Sequence, residues 1–296
     1  MPTFVPGVAA RAGVRAAACA VLLIAVCGVA VGAVTPAPSP AASGAASAVS
    51  PAATLGFIGA DASGTIPIID GTWQLRVPVL VGLSDPAVQA AVNQALVIGA
   101  AAQVAWFQRQ AEGPTRGFRG TDQYQSDFTV TLLTPELASL RVTWFFAPVA
   151  AAHGIGSTET WTFDLATGRK LQLRDLFLAG SPFLVQLSQL SRPILRGMLP
   201  AADWRIGSIR HGTRPTAENF ARWALTPDGL EFTFDYYQVG SFAEGSPVIV
   251  IPWAGLTSIL DPAGPAAPIL AATPAESGSP EPTRVATPAP SGSPVG

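Results

Sequence analysis

NFARWALTPDGLEFTFDYYQVGSFAEGSPVIVIPW, residues 219–253, decides the fold. Leu230, Phe232, Phe234 and Tyr236 alternate with Glu231, Thr233, Asp235 and Tyr237, the period-two pattern of a strand with one face toward a core. Pro227-Asp228-Gly229 is turn chemistry and opens that strand. The run PVIVIPW at 247–253 predicts a second, mostly buried strand, and 254–260 a short helix. By alternation Tyr236 points inward and Tyr237 outward, which makes Tyr237 either a contact residue or a strand former.

Upstream, WQLRVPVLV at 73–81 reads as a strand that Pro78 assigns to a sheet edge or terminus. Ser84-Asp85-Pro86 then supplies an N-cap and a helix-initiating proline, and apolar residues at helical spacing predict a helix over 86–110. Runs at 125–133 and 140–149 make a hairpin through Thr134-Pro135-Glu136. Runs at 158–165 and 170–173 flank Ala166-Thr167-Gly168, a tight turn whose glycine fits the left-handed position. Trp161, Phe163 and Leu165 alternate with Thr160, Thr162 and Asp164, as in a half-buried sheet. Ser181-Pro182 starts a second helix reaching Leu199, which Pro193 should kink or divide, and 200–215 reads as an irregular basic loop. The expected class is α+β, a largely antiparallel sheet packed by two main helices and preceded by an N-terminal hydrophobic helix.

That last helix is the apolar run at 16–34, behind Arg11 and Arg15, an export signal or a single membrane anchor. The cations place Met1 inside and everything after Val34 outside, so the membrane contact is through this segment and the location extracytoplasmic, anchored or secreted. Cys19 and Cys27 both lie in the run, and Val26 is bulky where a lipid-attachment site needs a small residue. The exported part therefore offers no thiol for a disulfide, a metal or a nucleophile. Residues 35–54 and 262–296, rich in Ala, Pro and Ser, are expected to be a disordered linker and tail, leaving one folded domain over 55–261. A formal charge of −2 argues against nucleic acid as a partner.

No catalytic constellation stands out. His153 and His211, the two histidines, have no metal-binding spacing to a second ligand, so neither a metal nor a cofactor is expected. His153, in a loop of small residues, is a ligand contact or a hydrogen-bonded turn residue. Thr162-Phe163-Asp164 begins like the Thr-Phe-Asp-Asp-Gly of metal-dependent polysaccharide deacetylases, but Leu165 and Ala166 end the match. No Gly-x-Ser-x-Gly elbow exists. An acid-dependent hydrolase would need Asp164, Asp175, Asp228, Asp235 and Glu244 to converge. Cations gather at Arg192, Arg196, Arg205, Arg210, Arg214 and Arg222, with His211 among them, either a solvated face or a holder of carboxylates on a partner.

Taken in order, Ala152-His153-Gly154, Phe163-Asp164-Leu165, Thr167-Gly168, Asp175-Leu176-Phe177, Asn219-Phe220, Asp228-Gly229-Leu230, Phe232, Phe234, Tyr237 and Val250-Ile251-Pro252 resemble the RsiV-like extracellular domain, catalogued as a domain of unknown function. Val77-Pro78-Val79-Leu80 with Asn93 looks like the smaller module that precedes it. Known members include an anti-sigma factor that senses lysozyme by binding it, an accessory region of a peptidoglycan deacetylase, and secreted mycobacterial immunogenic proteins. The resemblance implies a non-catalytic binding or sensing module for an extracellular, lysozyme-like protein or for peptidoglycan, with Arg205, Arg210, His211, Arg214, His153 and Tyr237 as its candidate contacts. The stretch before residue 16 is too short for a sigma-factor-binding domain, and no deacetylase catalytic domain is expected. An envelope hydrolase or a structural, antigenic protein are the alternatives.

Overall fold

The computed structural model describes residues 54–66, 71–111, 121–149, 151, 153–199 and 203–272, with the backbone alone at 111, 203–206 and 272. The expected export segment 1–34, the linker up to residue 53 and the tail from 273 lie outside the described residues.

Five strands form the first sheet, in the order β1 (Gly56–Ile66), β2 (Gly71–Val81), β3 (Gln123–Leu133), β4 (Leu137–Ala147) and β5 (Ile155–Asp164). All neighbours are antiparallel except β2 and β3, which run parallel over Thr72–Leu75 because the chain returns through helix α1 (Pro86–Ala111). Strand β2 is therefore internal to the sheet, yet at Pro78 it has a partner on the β1 side alone, the edge position the sequence suggested. Proline is tolerated there because β3 reaches no further than Leu75, so that ladder loses no bond to it. Sequence reading also missed β1, whose GFIGADASGTI is interrupted by glycine, alanine and serine between its few strand formers. Gly64 shows why: an added Cβ would lie 2.5 Å from Trp73 Cζ2, so the indole of β2 occupies the space a side chain would need.

Asp85 caps α1, its carboxylate accepting the Ala87 N–H at 2.8 Å and the Val88 N–H. The helix is long and apolar enough to cross a bilayer by length and composition, but its packing makes it a core helix. Val92, Leu96 and Phe107 are buried against Leu80, Val142 and Phe146 of the sheet. Asn93 fastens it further: its amide donates to the Leu80 carbonyl at 3.0 Å and accepts the Leu80 N–H at 2.8 Å, both buried.

The second half packs α2 (Phe183–Met198), α3 (Asp203–Gly212) and a three-stranded antiparallel sheet of β6 (Trp223–Leu225), β7 (Gly229–Thr233) and β8 (Val248–Pro252) into one core with Leu132 and Leu137 of the first sheet. Full burial of Phe232, Leu187 and Leu195 there contributes about 2 kcal/mol each. Several expectations change. Helix α2 runs undivided through the exposed Pro193, and the expected basic loop contains α3. Residues 170–173 make one isolated bridge, Lys170 to Phe163, instead of a strand. A 3₁₀ turn at Trp253–Gly255 stands where a helix was expected. The packed chain continues past Asp261, because Ala266 and Ile269, the latter on α4 (Ala267–Ala272), close the core.

Because the second sheet covers the face of β4 and β5 opposite α1, the expected half-buried sheet is buried on both sides there. The polar residues of the alternation become connectors. The Thr160 hydroxyl accepts the Trp223 N–H at 3.1 Å, and Ser139, paired with Thr162 at 2.9 Å, accepts the Leu225 N–H at 2.9 Å. Side-chain oxygens of one sheet thus satisfy the outer N–H groups of the other's edge strand β6. Beside them Arg141 of β4 meets Glu231 of β7, Nε to Oε1 at 3.3 Å, without the alignment of a hydrogen bond.

Candidate functional site

A groove of about 820 Å³ opens between α1, the edge strand β5 and the segments around 218–222 and 235–238. Ala102, Gln103, Trp106 and Arg109 reach it because spacings of three and four place them on one helix face. Their wall is aromatic. Trp106 lies 4.8 Å from Trp144 between centroids, and Tyr124 stacks on Trp144 at 5.8 Å and on Phe107 at 5.4 Å. Both indoles are half-buried, leaving ring surface to the groove, while Tyr124 is buried.

Polar side chains line the rest of the groove. Glu159 sits on β5, with the Gln103 amide donating to it at a long 3.5 Å. Burial pushes its carboxyl above the usual range, against the opposing pull of the Gln103 bond, Lys170 and Arg222. The Gln103 Oε1 is buried without a partner. Lys170 rests its ammonium over the Trp161 ring, 3.5 Å from the centroid, and Gly99 of α1 admits that indole because a Cβ there would strike it. Desolvation of its ammonium lowers the Lys170 pKa, opposed by the Glu159 charge. Arg222 pairs with Asp235, which also accepts from the Ser157 hydroxyl. Gln238 holds the rim together, donating to the carbonyls of Gly212 at 3.0 Å and Asn219 at 3.1 Å. Burial, followed by the Glu159 charge, raises the Tyr124 phenol.

Of the residues singled out as contacts, those with described side chains, Arg210, His211, Arg214, His153 and Tyr237, do not line this groove. His153 and Tyr237 do come together, around Phe242: the imidazole stacks on it at 3.9 Å with Nδ1 donating to the Gly154 carbonyl at 3.0 Å, and Tyr237 lies 5.9 Å away. Tyr236 joins them at 4.9 Å. The strand expected through Tyr237 ends at Thr233, and the two tyrosines occupy a turn instead of alternating across a strand. Tyr237 takes the left-handed region, φ 64°, unusual for a bulky side chain.

Arg210, His211 and Arg214 are exposed near the end of α3, whereas the Arg205 side chain lies outside what is described. The arginines do not act as one cluster: Arg192 donates to Thr213 at 3.1 Å and Arg222 serves the groove. The five acidic residues scatter as well. Asp164 binds the Ala166 N–H and the Thr167 hydroxyl, Asp175 binds Arg169, Glu244 caps its own turn through Ser241, and Asp228 sits in an exposed turn; Asp235 alone of the five reaches the groove. No three His, Cys, Asp or Glu side chains among the described residues are grouped to hold a metal.

Residues 174–254 match a family described as "Protein of unknown function (DUF3298)", and the chain carries a domain of that family there. The peptidoglycan-N-acetylmuramic acid deacetylase PdaC of Bacillus subtilis is 31% identical over 113 residues, 38% of this chain and 24% of that protein. The chain thus spans about a quarter of that relative's length. A crystal structure of a DUF3298 family member from Bacteroides fragilis shares the fold, with a TM-score of 0.55 at 16% identity over 75% of this chain and 99% of that one. A DUF3298 protein from Pseudomonas aeruginosa gives 0.48 at 13% identity, over 71% and 96%.

Proposed function

We propose that this protein is an extracytoplasmic, non-catalytic module that binds cell-wall glycan in the groove. One observation carries the reading: half-buried indoles and hydrogen-bonding side chains line the same groove. A pyranose presents apolar C–H faces and a rim of hydroxyls, and such a lining complements both. Support comes from the name of the Bacillus relative, a peptidoglycan deacetylase, and from the export signal or anchor read at 16–34. Against the hydrolase alternative stands the local engagement of Asp164, Asp175 and Glu244.

The test is calorimetric titration of the full chain, in mild detergent, with an N-acetylglucosamine tetramer. Saturable binding that Trp144→Ala weakens by roughly tenfold, about 1.4 kcal/mol, is expected. No saturation at millimolar sugar, with this tetramer or with an acidic peptidoglycan tetramer, would overturn it.

A second reading has one specific support: Arg210, His211 and Arg214 are exposed and, among the described residues, none is ion-paired. They would meet an acidic face on an extracellular protein. Charge reversal of Arg210 and Arg214 should then abolish capture of that protein while sparing sugar binding.

A further inference from the structure

Within the groove, two groups are left incompletely engaged. Lys170 makes no ion pair among the described residues; its ammonium rests on the Trp161 ring, with Glu159 near enough to act on its charge. Glu159 has a single long hydrogen bond, from Gln103. Beside them Gln103, 5% exposed, keeps its Oε1 unpartnered. The other charges around Glu159 are accounted for by element. Tyr124 of β3 is buried, Arg222 and Asp235 satisfy each other, and Arg109 of α1 and Glu218 stand exposed at the rim with opposite signs. A ligand entering here meets one uncompensated cation next to one carboxyl.

We propose that the groove selects acidic glycans, seating a sugar carboxylate between the Lys170 ammonium and the Glu159 carboxyl. This rests on the glycan reading above and narrows it to one ligand chemistry. A neutral sugar would leave Lys170 unpaired. A cationic amino sugar would need Glu159 ionised, and burial disfavours that charge. An acidic sugar satisfies both at once: the ammonium gains a counter-charge and the carboxylic acid gains an anionic acceptor. Since the donor is a titratable proton, binding above the pKa of Glu159 draws a proton into the site. Affinity for acidic sugars therefore rises as pH falls, until the sugar carboxylate itself is protonated.

The experiment compares two tetramers of equal length on the full chain: neutral N-acetylglucosamine, and a peptidoglycan glycan alternating N-acetylglucosamine with N-acetylmuramic acid. The acidic tetramer should bind about tenfold more tightly at pH 5 than at pH 7.5, with the neutral one indifferent to pH. Titration at pH 7.5 in buffers of different ionisation enthalpy should show proton uptake with the acidic tetramer alone. Glu159→Gln, whose amide donates at every pH, should remove both the pH dependence and the proton uptake while keeping acidic binding at its pH 5 strength. Lys170→Met should bring the acidic tetramer down to the affinity of the neutral one. Equal affinity for both tetramers with a flat pH profile would overturn the acidic selection and leave the glycan reading standing. Binding of neither tetramer would overturn both.

Discussion

Replacing Arg141 by Met should destabilise the protein chiefly at neutral pH. Arg141 and Glu231 lie between the sheets at 3.3 Å, with 24% and 10% of their side-chain surface exposed. Burial drives the Glu231 carboxyl above its ordinary value, and Arg141 draws it part of the way back. In the window from the ordinary carboxylate range up to that raised value, the folded state binds more protons than the unfolded one. Stability therefore falls as pH rises through it. Without Arg141 the folded value climbs further and the window widens upward, so the variant should lose most at neutral pH. Removing one partner of an enclosed pair costs about 3–5 kcal/mol. Because water reaches part of Arg141, about 2–3 kcal/mol is expected at pH 7.5, or roughly 4–12 °C in Tm for a domain of this size. At pH 4.5 the carboxyl takes up its proton and the loss should shrink to about 1 kcal/mol. Urea denaturation followed by tryptophan fluorescence at the two pH values measures both. Arg141→Met with Glu231→Leu should recover most of the loss, as an apolar pair of similar volume removes the uncompensated charge. Equal losses at both pH values, or a double variant no better than the single, would refute the reasoning.

Ser139→Ala removes the acceptor of the Leu225 N–H in a fully buried site and should cost about 1–3 kcal/mol in the same assay, whereas Thr257→Ala, at an exposed turn, should cost well under 1 kcal/mol. At Tyr237, substitution by Asn should stabilise by several tenths of a kcal/mol and Val should destabilise by about 1 kcal/mol or more, since asparagine tolerates φ 64° and a β-branched residue does not; Tm decides the order. Glu159→Gln should flatten the decline of stability with rising pH above the ordinary carboxylate range, because its raised pKa, like that of Glu231, favours the folded state only while the group is protonated.

Elements with strong local signals were legible in the sequence. Asp85-Pro86 and the apolar spacing behind it specify α1, and Trp161 with Phe163 specifies the side of β5 that faces α1. Gly168, at φ 75°, turns where the sequence placed it. Two elements escaped because their signals are tertiary: β1 is built of small residues that make room for the side chains of β2, and α3 carries Gly207 and Gly212 in a mostly polar stretch. Tyr236 and Tyr237 continued the alternation on paper, but the chain turns at 236–238 and directs both rings to Phe242. The groove was the least legible part. Gln103, Trp144, Glu159 and Arg222 lie on four separate segments, and Glu159 reads as one more polar residue in an alternating strand until Gln103 and Lys170 are placed beside it. Trp106 and Trp144, neither wholly buried, were the available hint of an aromatic wall.

The hydroxyl contacts of β6 also bear on where this chain can be cut. The family match begins at residue 174, after β5, so a fragment defined by it would keep β6, β7 and β8 but discard Ser139, Thr160 and Arg141. Its edge strand would then offer the Trp223 and Leu225 N–H groups to any passing chain, over an apolar surface stripped of Leu132 and Leu137. Such a fragment should aggregate rather than fold.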